Sequence, residues 1–100
     1  MILYNVTINV DKDIHDEWLR WMKETHIPDV LSTGLFTEGK VFKIHTGEDE
    51  GNTYSIQYFC ATMDDYDKYQ KEHAARLQQE HSEKYKDKFT AFRTILEQVE

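Results

Sequence analysis

Two histidines in this 100-residue chain stand where chemistry is possible. His26 lies near the middle of WLRWMKETHIPDVLSTG, residues 18–34, two positions before Pro28, the chain's only proline. An imidazole can serve as acid, base or ligand-orienting donor near neutral pH; the plainer alternative is that it satisfies backbone groups at the proline. His73 sits in an apolar stripe formed by Met63, Tyr66, Tyr69, His73 and Leu77, at spacings of three and four, and its plainer reading is a core residue. Arg93, between Ala91 and Ile95 on a strand face that also carries Phe89, suits either a surface ion pair or an anionic ligand. Tyr4, Trp18, Trp21, Tyr58 and Tyr66 would either wall a small-molecule pocket beside these groups or fill an aromatic core.

Other chemistries lack their residues. His15, His26, His45, His73 and His81 include no i,i+4 pair and no HExxH, so no metal site is expected. GEDEGN lacks the alternating ligand order of a calcium loop. No serine elbow, P-loop or dinucleotide fingerprint occurs, and no cofactor is expected. Cys60, the single cysteine, shares a strand face with Tyr58 and Ile56 and reads as core.

Net charge −7 disfavours nucleic acid and anionic lipid as partners. No stretch approaches the ~18 apolar residues of a membrane span, and MILYNVTINV alternates rather than forming a signal peptide. A cytoplasmic location is the expectation.

These residues must be positioned by a small set of elements. Residues 2–10 alternate, with Ile2, Tyr4, Val6, Ile8 and Val10 on one face, and predict a strand. Asp11 or Asp13 can cap a helix running to about Ser32, with Gly34 suited to the left-handed position that ends it. At ~100° per residue its apolar stripe changes phase at His26–Ile27. Pro28 removes an amide donor, clashes with the Glu24 carbonyl and disfavours helical geometry at Ile27, which predicts a bend or restart there. Residues 35–46 read as a second strand with Gly39 as a bulge candidate, and TGEDEGN reads as a hairpin loop. Residues 53–62 form a third strand. Thr62 or Asp64 opens a second helix ending near Lys84, and DKFTAFRTILEQV supplies the fourth strand. The order β-α-β-β-α-β predicts one α+β domain over residues 1–100: a ferredoxin-like antiparallel sheet with two helices on one face.

The opposite faces of the first, third and fourth strands carry Leu3, Asn5, Thr7, Asn9, Thr53, Ser55, Gln57, Phe59, Ala61, Thr90, Phe92, Thr94, Leu96 and Gln98. No charge appears there in a chain that is 31% charged, whereas a wet sheet face takes charges freely. A second copy is the simplest cover, which predicts a homodimer through this face and a dimeric α/β barrel.

YNVTINV, WLRWMKETHIPDVLSTGLF, YSIQYF, YQKEHAARLQQEH and KFTAFRTILE together resemble a family of short bacterial proteins known only as a domain of unknown function. The resemblance covers nearly the whole chain. It implies a ferredoxin-like dimeric barrel and brings no activity or catalytic residues. HIPDV is also similar to a short pattern in the antibiotic-biosynthesis monooxygenases and EthD-like proteins, groups in which ligands sit between helices and sheet. The expectation is a binder of a small apolar or aromatic molecule, with cofactor-free catalysis as its extension. In it His26 and His73 are the candidate catalytic groups, with Tyr4, Trp18, Trp21, Tyr58, Tyr66 and Arg93 around the ligand. The alternative is a structural or regulatory homodimer.

Overall fold

The computed structural model describes residues 1–45 and 52–100. Strands β1 (Ile2–Val10), β2 (Glu38–Lys43), β3 (Thr53–Cys60) and β4 (Phe89–Glu97) form one antiparallel sheet in the order β2-β3-β1-β4. The two strands with the cleanest alternation, β1 and β3, are central. Their inward residues Tyr4, Val6 and Ile8 face Tyr58, Ile56 and Tyr54 across the register, and all are buried. The helical layer on that side comprises α1 (His15–Trp21), a π turn (Met22–His26), α2 (Ile27–Leu31), α3 (Met63–Glu72) and α4 (Ala74–Lys84). The result is an α+β ferredoxin-like arrangement whose core lies between one sheet face and the helices.

The first helical segment corrects one expectation. Ile27 remains helical (φ −61°, ψ −45°), so the proline does not expel it from the helix. The chain instead widens into a π turn, in which the Ile27 N–H reaches back to the Met22 carbonyl. The turn holds one extra residue and so relieves the contact between the Pro28 ring and the Glu24 carbonyl. It also absorbs the phase change: the buried residues Trp18, Met22, Ile27 and Val30 are spaced four, five and three apart and share one face. Asp11 takes the N-cap position of a 3-10 turn, Lys12–Ile14, that precedes α1, but its side chain makes no capping hydrogen bond. Gly34 takes φ +81° and donates to the Leu31 carbonyl, as the left-handed end of the segment requires.

The second predicted helix is two. His73 leaves helical geometry (φ −129°, ψ −31°) and separates α3 from α4. Thr62 is the N-cap, its hydroxyl accepting from the Asp65 N–H at 3.2 Å. Met63, assigned to the buried stripe, is exposed. The stripe continues through Tyr69, Ala74, Leu77 and His81, all buried.

Gly39 is not a bulge. It pairs in register with Tyr58, and a Cβ there would meet Ile27 Cγ2 at 3.2 Å and Tyr58 Cδ1 at 3.4 Å. Close approach of helix and sheet, rather than backbone irregularity, explains the glycine. Strands β2 and β4 are shorter than the expected 35–46 and 87–99. Residues 46–51, which include most of the expected hairpin loop and the acidic run, lie outside the described residues.

On the outer sheet face, Gln57 donates to the Ser55 hydroxyl (3.2 Å), Ser55 to the Asn5 amide oxygen (2.5 Å), and Asn5 to Thr7 (3.0 Å). Phe92, Phe42 and Leu96 stand exposed on the same face, Phe92 at 64%. Edge strand β2 adds Glu38 and Lys40, which pair at 3.4 Å, so the charge-free area is confined to β3, β1 and β4. Among the described residues no helix is long and apolar enough to cross a membrane.

Candidate functional site

The π turn and α4 bring two histidines together over the sheet. His26 stacks on Trp21 with ring centroids 5.0 Å apart and planes at 28°. Its other ring neighbour is His81, 5.6 Å away. His81 lies edge-on to Phe89 at 4.1 Å and accepts a hydrogen bond at Nε2 from the Trp18 indole N–H, 2.9 Å long and fully buried. An indole is a donor only, so His81 Nε2 is unprotonated and the neutral ring carries its proton on Nδ1.

Between these histidines and the sheet is a cavity. Its volume is about 30 Å³, and it opens to solvent through a mouth. The inner volume holds about two water molecules, at ~10–15 Å³ each. Tyr4, Val6, Ile8, Ile56 and Tyr58 form its floor; Met22, His26, Val30, Tyr69, Gln78 and His81 its helical wall; Phe89, Ala91 and Arg93 its third side. The floor follows from strand alternation, which sends every second residue of β1 and β3 inward. Arg93, opposite Val6 on β4, lines the cavity while staying exposed to solvent, and its Nε–H donates to the Tyr4 hydroxyl at 3.2 Å.

Two lining residues hold buried polar atoms with no hydrogen-bond partner: His26 Nδ1 and the Tyr58 hydroxyl. Each such group costs about 1–3 kcal/mol when left unsatisfied. Burial sets the ionisation of the wall. Desolvation lowers His26 to about 4, against an opposing pull from Asp29 and with a small push from Arg93. Desolvation, with His26 and Arg93 adding to it, lowers His81 to about 3. Both rings are neutral at pH 7. Burial raises the Tyr58 and Tyr69 hydroxyls well above the ordinary tyrosine range, so both remain O–H donors.

Of the residues singled out from sequence, Tyr4, His26, Tyr58 and Arg93 line the cavity. Trp18 is behind His81 as its hydrogen-bond donor, and Trp21 flanks the His26 ring. Tyr66 packs on Tyr4 at 5.3 Å without lining the hollow. His73 is at the junction of α3 and α4, stacked on Tyr69 at 6.3 Å, and the ring that His26 meets is His81. The helix break at His73 makes a stripe extended through that residue misleading. Sequence reasoning passed over His81, although its spacing of four from Leu77 continues the same stripe. Tyr69 and Gln78 were also not assigned to the site. Among the described residues no group of three His, Cys, Asp or Glu side chains is placed to hold a metal ion.

Comparison with known proteins agrees with the fold and leaves the chemistry open. A family model described as "Domain of unknown function (DUF4286)" matches residues 1–99. No curated protein matches the chain. A crystal structure of a protein from Agrobacterium tumefaciens superposes with a TM-score of 0.71 at 17% identity, over 99% of this chain and 94% of that one. A second, described as a dimeric ferredoxin-like protein from an uncultured marine organism, gives 0.70 at 16% identity, over 100% and 96%. At such identities the likeness shows the fold.

Proposed function

The chain belongs to the family described as domain of unknown function DUF4286, and on that premise we propose that it is a homodimeric small-molecule-binding protein whose site is the cavity between helices and sheet. The observation that carries the reading is the pair of buried, unpartnered polar atoms, His26 Nδ1 and the Tyr58 hydroxyl, on residues lining one hollow. Core polar groups are normally paired, and a ligand bearing acceptor atoms would satisfy both: the Tyr58 O–H donates to it, and so does the neutral His26 ring in the tautomer that carries its proton on Nδ1. The small inner volume limits what enters to a short group, with any larger apolar part of the ligand outside it at the mouth.

Neutral His26 acts in this reading as an orienting group. With its conjugate acid at about 4, the ring is a weak base, and binding fits it better than proton transfer. The homodimer uses the outer sheet face, where Phe92, Phe42 and Leu96 are exposed beside a neutral hydrogen-bonded array. A structural neighbour described as dimeric is in keeping with it. A structural homodimer whose cavity holds only water is the second reading, favoured by the inner volume of about 30 Å³.

Ligand-observed NMR with small polar fragments separates the two. Ala91 lines the cavity and is only half-buried, so Ala91→Met fills the space from a tolerant position. The proposal expects fragments that bind the wild type and lose binding in Ala91→Met, whose melting temperature stays near wild type. Absence of any binder, or binding unchanged in the filled variant, would favour the structural reading.

A further inference from the structure

We infer that the ligand of this cavity is a small monoanion of the carboxylate class, anchored by the Arg93 guanidinium together with the Tyr4 and Tyr58 hydroxyls. The inference rests on the cavity being a ligand site and adds the charge and class of what it takes.

The first observation is the composition of the wall. The chain carries 19 Asp and Glu against 12 Lys and Arg. The fourteen lining residues would hold two or three acids at that frequency, and they hold none. Asp29, the acid that acts on His26, is outside the lining. The second is that Arg93 is the only formal charge in the wall and has no carboxylate partner among the described residues; its hydrogen bond goes to the neutral Tyr4 hydroxyl. An arginine in an acidic chain that faces a polar hollow and finds no acid leaves its fork available for a planar carboxylate, whose geometry it matches with two parallel N–H donors.

The third observation is the donor set. The Tyr58 hydroxyl is buried and unpartnered, and because burial holds it protonated it can offer its O–H to an anion. Both histidines are neutral, so the wall supplies one positive charge and not two. That favours a monoanion over a phosphate dianion, which would be buried with a charge uncompensated. Size agrees: a carboxylate has three heavy atoms, commensurate with a hollow for about two waters.

The test is a pair of isosteric titrations, benzoate against benzamide and acetate against acetamide, followed by ¹H–¹⁵N correlation spectra including the arginine Nε–H resonances at low ionic strength. The wild type is expected to bind each acid at least tenfold more tightly than its amide, with shifts at Arg93 Nε–H and at cavity residues. Arg93→Met should weaken the acids tenfold or more and the amides by clearly less, so that the acid-over-amide preference is lost, while Arg93→Lys, which keeps the charge without the fork, should fall between. Circular dichroism checks that both variants fold, as expected for substitutions at an exposed residue. Amides binding as well as the acids, or acids binding undiminished to Arg93→Met, would overturn the charge assignment while leaving the ligand site standing. Acids and amides both failing, when other fragments bind, overturns the class. No fragment of any kind binding removes the ligand site itself.

Discussion

Acid should destabilise this protein through its two cavity histidines before its carboxylates titrate. His81 falls from an ordinary 6.5 to about 3 and His26 to about 4, with desolvation the largest cause in each. Both folded values are depressed. The unfolded chain therefore takes up protons below pH 6.5 that the folded chain refuses, and stability is full above pH 6.5 and falls as the pH drops. Each site costs about 2 kcal/mol by pH 5, at ~1.4 kcal/mol per unit of displacement, so the pair removes about 4 kcal/mol between pH 7.5 and 5. That is a large fraction of the ~5–15 kcal/mol typical of a domain. Urea unfolding monitored by tryptophan fluorescence at fixed protein concentration reads it directly, because any self-association makes stability depend on concentration. With a slope of ~1–2 kcal/mol/M, the midpoint should fall by about 2 M or more. His81→Gln is the control: its amide oxygen replaces Nε2 as acceptor for the Trp18 N–H, and it cannot titrate. About half of the acid loss should disappear. A wild type that loses less than about 1 kcal/mol over this interval, or a variant with an unchanged acid response, would refute the reasoning.

Other consequences follow from single residues. Phe92→Lys places a charge on the exposed outer patch; light scattering should show the proposed homodimer reduced to a monomer, with the circular dichroism spectrum preserved, and a mass equal to that of the wild type would rule out that face as the interface. Gly39→Ala pushes a methyl group to 3.2 Å from Ile27 Cγ2 and should destabilise by about 1–2 kcal/mol, outweighing the usual gain on replacing a strand glycine; a higher melting temperature would show that helix and sheet are less closely fitted. Cys60 is buried with its thiol pushed up by desolvation, so it should resist a thiol reagent in native buffer and react fully in urea; rapid native labelling would contradict its burial.

The sheet was legible because the inward faces of β1 and β3 keep a period of two, with Leu3, Phe59 and the buried Ser55 the departures on the outer face, and that alternation places Tyr4 and Tyr58 on the cavity floor. Arg93 was legible for the same reason, since it shares the inward face with Phe89, Ala91 and Ile95. The helical layer was harder. A change of stripe phase at His26 signals some irregularity, but a bend and a π turn both produce it. The choice depends on tertiary packing, in which Met22, Ile27 and Val30 all reach the core. The partner of His26 was missed because a stripe carried through His73 assumes one continuous helix. His73 interrupts that helix, and the burial then passes to Ala74, Leu77 and His81. No local residue pattern announces that interruption. The glycine at position 39 was noticed for the wrong reason: a bulge and a close contact leave the same mark in a sequence, and only the distance to Ile27 separates them.

The central claim is that the hollow beneath His26 and His81 is a binding site. A crystal structure of the protein grown with benzoate tests it most directly. The account predicts a carboxylate within hydrogen-bond distance of the Arg93 guanidinium and the Tyr58 hydroxyl, with the Trp18–His81 hydrogen bond intact. A cavity that stays closed, with the Tyr58 hydroxyl and His26 Nδ1 bonded to protein groups and no ligand density, would contradict it.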